Sequence, residues 1–145
     1  MRYRHVQKSF LHWILLLIAF VEIGIATLAP IPFGARAALW LGGGVILACA
    51  LCLTQLKTED TGDALDVRFG PIWWIGFQLP YDQIRSFSED RSKWYEGWGL
   101  RYTRAGWLYN IQGFDCIRIH TDDGVIRIGT DDLPGLIAML RERVR

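Results

Sequence analysis

The chain has 145 residues, 51% of them hydrophobic, with a formal charge of +1. That length admits one small folded core beside any membrane segment and excludes a second domain. The near-neutral balance argues against a nucleic-acid binder, which usually carries a basic excess. Three cysteines do not make a disulfide framework.

Residues 1–9 form a short polar segment with Arg2, Arg4 and Lys8. Two apolar runs follow, 10–29 and 37–56, each close to the roughly 20 residues that span a bilayer core as a helix. Between them Pro30, Pro32 and Gly34 break the pattern, so the two runs read as a transmembrane helical hairpin. Cations precede the first run and follow the second, whereas Arg36 alone occupies the loop. Cationic residues are retained on the cytoplasmic side, which predicts both termini in the cytoplasm and the loop outside. Trp13 and Trp40, near the start of each run, are expected at opposite interfaces. The small residues of Ala26–Ala29 also offer a signal-peptide cleavage site. The length of the apolar stretch and Glu22 within it weigh against that reading.

Residues 57–64 are polar and lack periodicity, and read as a linker to a cytoplasmic domain over 65–145. A piece beginning near Thr61 is therefore expected to fold alone. From Lys57 onward the chain holds 12 Lys/Arg and 14 Asp/Glu, hence about −2. Leu65 to Phe69 alternates as a strand should. Ile72–Leu79 and Tyr81–Phe87 are predicted to be strands, the latter with Ile84 facing in. Ser88–Gly97 reads as an exposed loop. Trp98–Tyr102 and Trp107–Asn110 flank Arg104-Ala105-Gly106 as a hairpin. Phe114–Thr121 and Val125–Gly129 flank Asp123-Gly124, which suits the positive φ angles of a type I′ turn. Thr130-Asp131-Asp132 then supplies capping oxygens. Leu136, Ile137, Leu140 and Val144 recur at helical spacing, with Arg141, Arg143 and Arg145 at the C-terminal end. The expected domain is about seven short strands closed by one amphipathic helix.

Several segments carry a resemblance: Leu79-Pro80-Tyr81-Asp82-Gln83-Ile84, Gly97-Trp98-Gly99-Leu100-Arg101, Gly106-Trp107, and Ile126 to Asp132. With them, the region from about Leu65 to Arg145 resembles a bacterial pleckstrin-homology-like domain, here behind a two-helix membrane hairpin. The resemblance implies a bent β-sandwich or barrel capped by its last helix. It implies a non-enzymatic role in binding or assembly at the bacterial inner membrane, and it transfers no catalytic residue. Basic residues in the first two strands would hint at phosphoinositide recognition, but only Arg68 lies there.

No nucleophile elbow, phosphate loop, dinucleotide fingerprint or metal-like spacing occurs, so no catalytic residue, metal or cofactor is expected. His5 and His12 belong to the juxtamembrane region, and His120 is expected to face solvent. Glu22 is the sharpest single residue, because an ionisable group in hydrocarbon is costly. Its depth should match Gly42-Gly43-Gly44 on the second helix. It reads either as a proton-sensitive site or as a neutral carboxyl bonded within the hairpin. Cys49 and Cys52 have the spacing of a redox pair but lie in an apolar helix, where a thiolate is disfavoured. The last candidate is a surface. Arg91, Lys93, Trp94, Tyr95, Arg101 and Arg104 interleave cations with aromatics, as anionic headgroups and protein hot spots both favour. Trp98 and Trp107 are assigned instead to the core.

The expected partners are the bilayer itself and either a membrane protein or a second copy, with no nucleic acid and no small-molecule substrate. An oligomeric hairpin with an intramembrane proton or redox site at Glu22, Cys49 and Cys52 is the alternative.

Overall fold

The computed structural model describes residues 3–71 and 75–144. Arg2, Arg145 and the start of the strand expected over Ile72–Leu79 lie outside the described residues. The elements run β1 (Arg4–Lys8), α1 (Leu11–Leu28), α2 (Phe33–Cys52), β2 (Gln55–Asp60), β3 (Ala64–Phe69) and β4 (Gly76–Pro80). They continue with β5 (Ile84–Arg91), β6 (Gly99–Thr103), β7 (Gly106–Asn110), β8 (Asp115–Thr121), β9 (Gly124–Gly129) and α3 (Leu133–Arg143).

The helices α1 and α2 have 18 and 20 residues and mean hydropathies of 2.2 and 1.7. At 1.5 Å per residue they are about 27 and 30 Å long, enough to cross a bilayer core. The second helix starts and ends four residues earlier than the apolar run 37–56. Pro32, with φ −57°, sets the chain for the first turn at Phe33. At the other end Leu56 leaves the hairpin and is buried in the β-domain. Trp40 consequently lies two turns inside α2, not at its start. The helices approach closely at Gly43, where an added Cβ would stand 2.7 Å from Ile23 Cγ1. Gly42 faces Glu22, whereas Gly44 faces open space.

The segment before the hairpin is a strand. β1 pairs antiparallel with β2, from Arg4 opposite Glu59 to Lys8 opposite Gln55. Ser9 N–H donates to the Thr54 carbonyl at 3.3 Å, closing the ladder where the helices leave. The hairpin is thus inserted between two neighbouring strands, and both its ends open onto the β-domain. This corrects the division into a free segment 1–9 and a linker 57–64. Residues 55–60 form β2, and Leu56, Thr58 and Asp60 alternate inward. A polar stretch becomes a core strand in part because Asp60, its buried charge, finds partners.

The first sheet is a meander, β1-β2-β3-β4. The second has the order β5-β8-β9-β7-β6. In it β5, β8 and β9 are antiparallel, while β7 joins β9 in parallel. The β6–β7 hairpin is therefore an excursion between β5 and β8, and it leaves β6 at the sheet edge. Among the described residues nine strands replace the expected seven, the additional two being β1 and β2. Tyr81–Gln83 forms a single 3₁₀ turn, so that strand begins at Ile84 and runs on to Arg91. The β8–β9 turn is not of type I′. Asp122 and Asp123 keep negative φ, and Gly124 takes φ 141°.

Leu65, Val67, Phe69 and Leu79 of the first sheet meet Ile117, Ile119 and Ile128 of the second. Leu136, Ile137, Met139 and Leu140 of α3 complete this core. Asp132 caps α3 as expected, its side chain accepting from Gly135 N–H. One polar cluster locks the far end. Asp60, 1% exposed, accepts from Gly62 N–H (2.9 Å), the Tyr81 hydroxyl (2.8 Å) and Arg143 Nη2 (2.7 Å). Burial pushes the Asp60 carboxyl up, but these donors outweigh it and hold the group below the usual carboxylate range.

Candidate functional site

After β5 the chain crosses the outer face of the second sheet. Lys93 N–H donates to the Glu96 carboxylate at 2.7 Å, and Glu96 N–H donates to the Lys93 carbonyl at 2.9 Å. This closes a single turn over Trp94–Glu96 and aims Glu96 at Arg127. Arg127, on β9 and 2% exposed, donates to Asp90 (2.7 Å), Glu96 (2.8 Å) and the Arg91 carbonyl (3.3 Å). Arg118, its cross-strand neighbour on β8, reaches Asp90 at 3.0 Å. Adjacent guanidiniums on one face repel, and Asp90 offsets that by serving both. Burial raises the Asp90 and Glu96 carboxyls, but the backbone N–H groups and guanidiniums beside them prevail and hold both low.

This network floors a cleft of about 800 Å³. Lys93, Tyr95, Arg101, Tyr102 and Arg104 stand around it. Its lining carries six Lys/Arg against two carboxylates, a local excess of four positive charges. The floor cations are neutralised, but the rim cations are not. Among the described residues Arg101 and Arg104 have no carboxylate partner. The Lys93 ammonium lies 5.6 Å from the Tyr95 ring centroid. Arg91 is 3.8 Å from Asp115 at the exposed margin.

Five of the six residues singled out in the sequence line this cleft. Trp94 stands outside it, 81% exposed and edge-on to Tyr95, itself 61% exposed. Asp90, Glu96, Tyr102, Arg118 and Arg127 were missed. The signal for the two arginines was the alternation Ile117-Arg118-Ile119 and Ile126-Arg127-Ile128, which sends them to one outer face. Trp107 is 45% exposed, against the expectation of burial, and meets Tyr102 edge-on. Trp98 is half-buried, and its Nε1–H donates to the Gly113 carbonyl at 3.0 Å.

The same corner adjoins the hairpin. Gln112 Oε1 accepts from Phe10 N–H at 3.1 Å, beside the first turn of α1. Gln7 Nε2 donates to the Gln112 carbonyl at 2.9 Å. Ser92 N–H donates to the Phe114 carbonyl at 2.6 Å, so the start of the Lys93–Glu96 segment is held there too.

Within the hairpin, the Glu22 carboxylate lies where a Cβ on Gly42 would come within 2.7 Å of it. Cys49 is seven residues further along α2, about 10 Å on. Glu22 and the thiols are therefore not brought together. His5 meets Asp131, His12 meets the Ser9 carbonyl, and His120 is exposed. Among the described residues, no group of three or more His, Cys, Asp or Glu side chains is placed to hold a metal ion.

No protein-family model matches this chain, and no curated protein matches it.

Proposed function

We propose that the protein is a membrane-anchored, non-enzymatic binding or assembly module. Its hairpin crosses the bacterial inner membrane, and its β-domain sits at the cytoplasmic surface. There the domain docks a membrane-protein partner or the anionic lipid face. The observation that carries this reading is the position of the aromatic-basic corner. Trp94, Tyr95, Lys93 and Arg91 are exposed on a segment tied, through Phe114 and Gln112, to the first turn of an apolar helix. Exposed tryptophan beside the exposed cations Arg91 and Lys93 at that height suits headgroups and protein hot spots.

A pleckstrin-homology-like reading of the domain has topological support. Without the β6–β7 excursion, the strands form a four-stranded meander and a three-stranded antiparallel sheet followed by a helix. The membrane hairpin is then a second insertion, between the first two strands. The cytoplasmic orientation is supported by Lys8 and Lys57 on the domain side of the hairpin and by Arg36 alone on the loop side.

The test is purification of the tagged full-length protein from native membranes in mild detergent. Wild type should retain an integral-membrane partner or bind phosphatidylglycerol vesicles. Arg91→Ala with Trp94→Ala should lose at least about tenfold, since each surface cation contributes about 1 kcal/mol and a central tryptophan as much or more. Unchanged behaviour in both assays would sink the reading. An intramembrane site at Glu22 has one observation behind it, the carboxylate against Gly42. Intact function in Glu22→Gln with Cys49→Ser and Cys52→Ser removes that alternative.

A further inference from the structure

The second sheet has two edges, and they are built differently. β5 is guarded: its register slips between Ile84 and Ser86, and it carries Glu89 and Asp90. Charges and irregularities of this kind discourage a further strand. β6 has no register slip, and its one charge, Arg101, is a cation. It pairs with β7 in unbroken register from Gly99 opposite Asn110 to Thr103 opposite Gly106. Among the described residues, no main-chain hydrogen bond other than that ladder engages Gly99–Thr103. Leu100, Tyr102 and Trp107 are exposed beside the open edge. The cleft runs along the same strand, since Arg101, Tyr102, Thr103, Arg104 and Ala105 all line it.

We infer that β6 accepts an extended acidic peptide segment of a partner protein as an added strand, with Arg101 and Arg104 reading its carboxylates. Strand addition draws affinity from main-chain hydrogen bonds and specificity from the flanking side chains. The flanking charge here is positive and unpaired, which selects glutamate- or aspartate-rich chain. The same charge disfavours a second copy, because a symmetric antiparallel β6 pair centred on Arg101 would set Arg101 opposite itself. The inference rests on the binding-module reading but centres on the β6 edge; of the Arg91–Trp94 corner, Arg91 shares the cleft lining and Trp94 does not.

The experiment uses full-length protein in detergent and a labelled peptide alternating Glu with Val and Tyr. Two control peptides are the same sequence with Lys for Glu, and the acidic sequence with alternate amides N-methylated. The acidic peptide should bind. The N-methylated one should bind at least tenfold more weakly, and the lysine one not measurably. Arg101→Glu with Arg104→Glu should weaken acidic-peptide binding at least tenfold, whereas Arg85→Ala, an exposed cation outside the cleft lining, should leave it within twofold. Equal binding of the N-methylated peptide overturns strand addition, with the protein itself unaltered. Displacement of the peptide by phosphatidylglycerol bicelles at matched charge would assign the cleft to lipid and overturn it as well. Loss of peptide binding only in the Arg91/Trp94 variant would move the site to the corner, leaving the broader reading intact and this inference wrong.

Discussion

Cutting the chain at Thr61 and cutting out the hairpin should have opposite consequences. Truncation removes β1 and β2, and with them Leu56, whose full burial is worth about 1.5–3 kcal/mol. It also removes Asp60, leaving the Tyr81 hydroxyl without its acceptor at about 1–3 kcal/mol and Arg143 without its carboxylate. Val67 and Phe69, now fully buried or nearly so, lose the strand that pairs with theirs. These losses together reach roughly the 5–15 kcal/mol that stabilises an ordinary domain. Excision is different. Ser9 and Thr54 already share a backbone hydrogen bond, so a turn of a few residues replaces the hairpin at little loop-closure cost. The excised protein should be soluble and melt cooperatively by circular dichroism, while the piece from Thr61 should show no cooperative transition. A cooperative transition in the truncated piece at the temperature of the excised one would refute the inserted-hairpin topology.

Three further outcomes follow from buried groups. Arg127→Ala strips Glu96 of its guanidinium partner, leaves Asp90 with Arg118 alone, and should cost about 3 kcal/mol in denaturant unfolding of the excised domain. Asp60 titrates below its usual range in the fold, so its contribution is present above about pH 4 and is lost as the pH falls through its folded value. Asp60→Asn should therefore lower stability near pH 7 and flatten its loss on acidification, read from melts at pH 7 and pH 3. Burial raises the Cys116 thiol to about 11, so with Cys49 and Cys52 excised it should react with maleimide only on unfolding.

Local signals were read well where they reached their own partners. The Asp132 cap, the helical spacing of Leu136, Ile137 and Leu140, and the two glycine-marked hairpins all act within a few residues. β1 and β2 were not legible for two reasons. Their pairing crosses the entire hairpin, and their inward positions include Gln7, Thr58 and Asp60, which hide a core strand behind polar letters. The end of α2 was misplaced because Leu56 is as apolar as a membrane residue, although it serves the domain. At the site, Arg91 to Arg104 stood out as one run of sequence. Arg118, Arg127 and Asp90 come from three strands, and sheet order alone assembles them.

The central claim is that the hairpin holds the aromatic-basic corner at the bilayer surface. Its most direct test places a nitroxide at position 94 and, separately, at position 122 of the full-length protein in nanodiscs containing phosphatidylglycerol. β8 runs from the Phe114 corner to the Asp122 turn, about 20 Å away. Relaxation by membrane-soluble oxygen and water-soluble nickel should put position 94 at headgroup depth and position 122 in free water. Equal and full exposure to water at both positions would contradict the account.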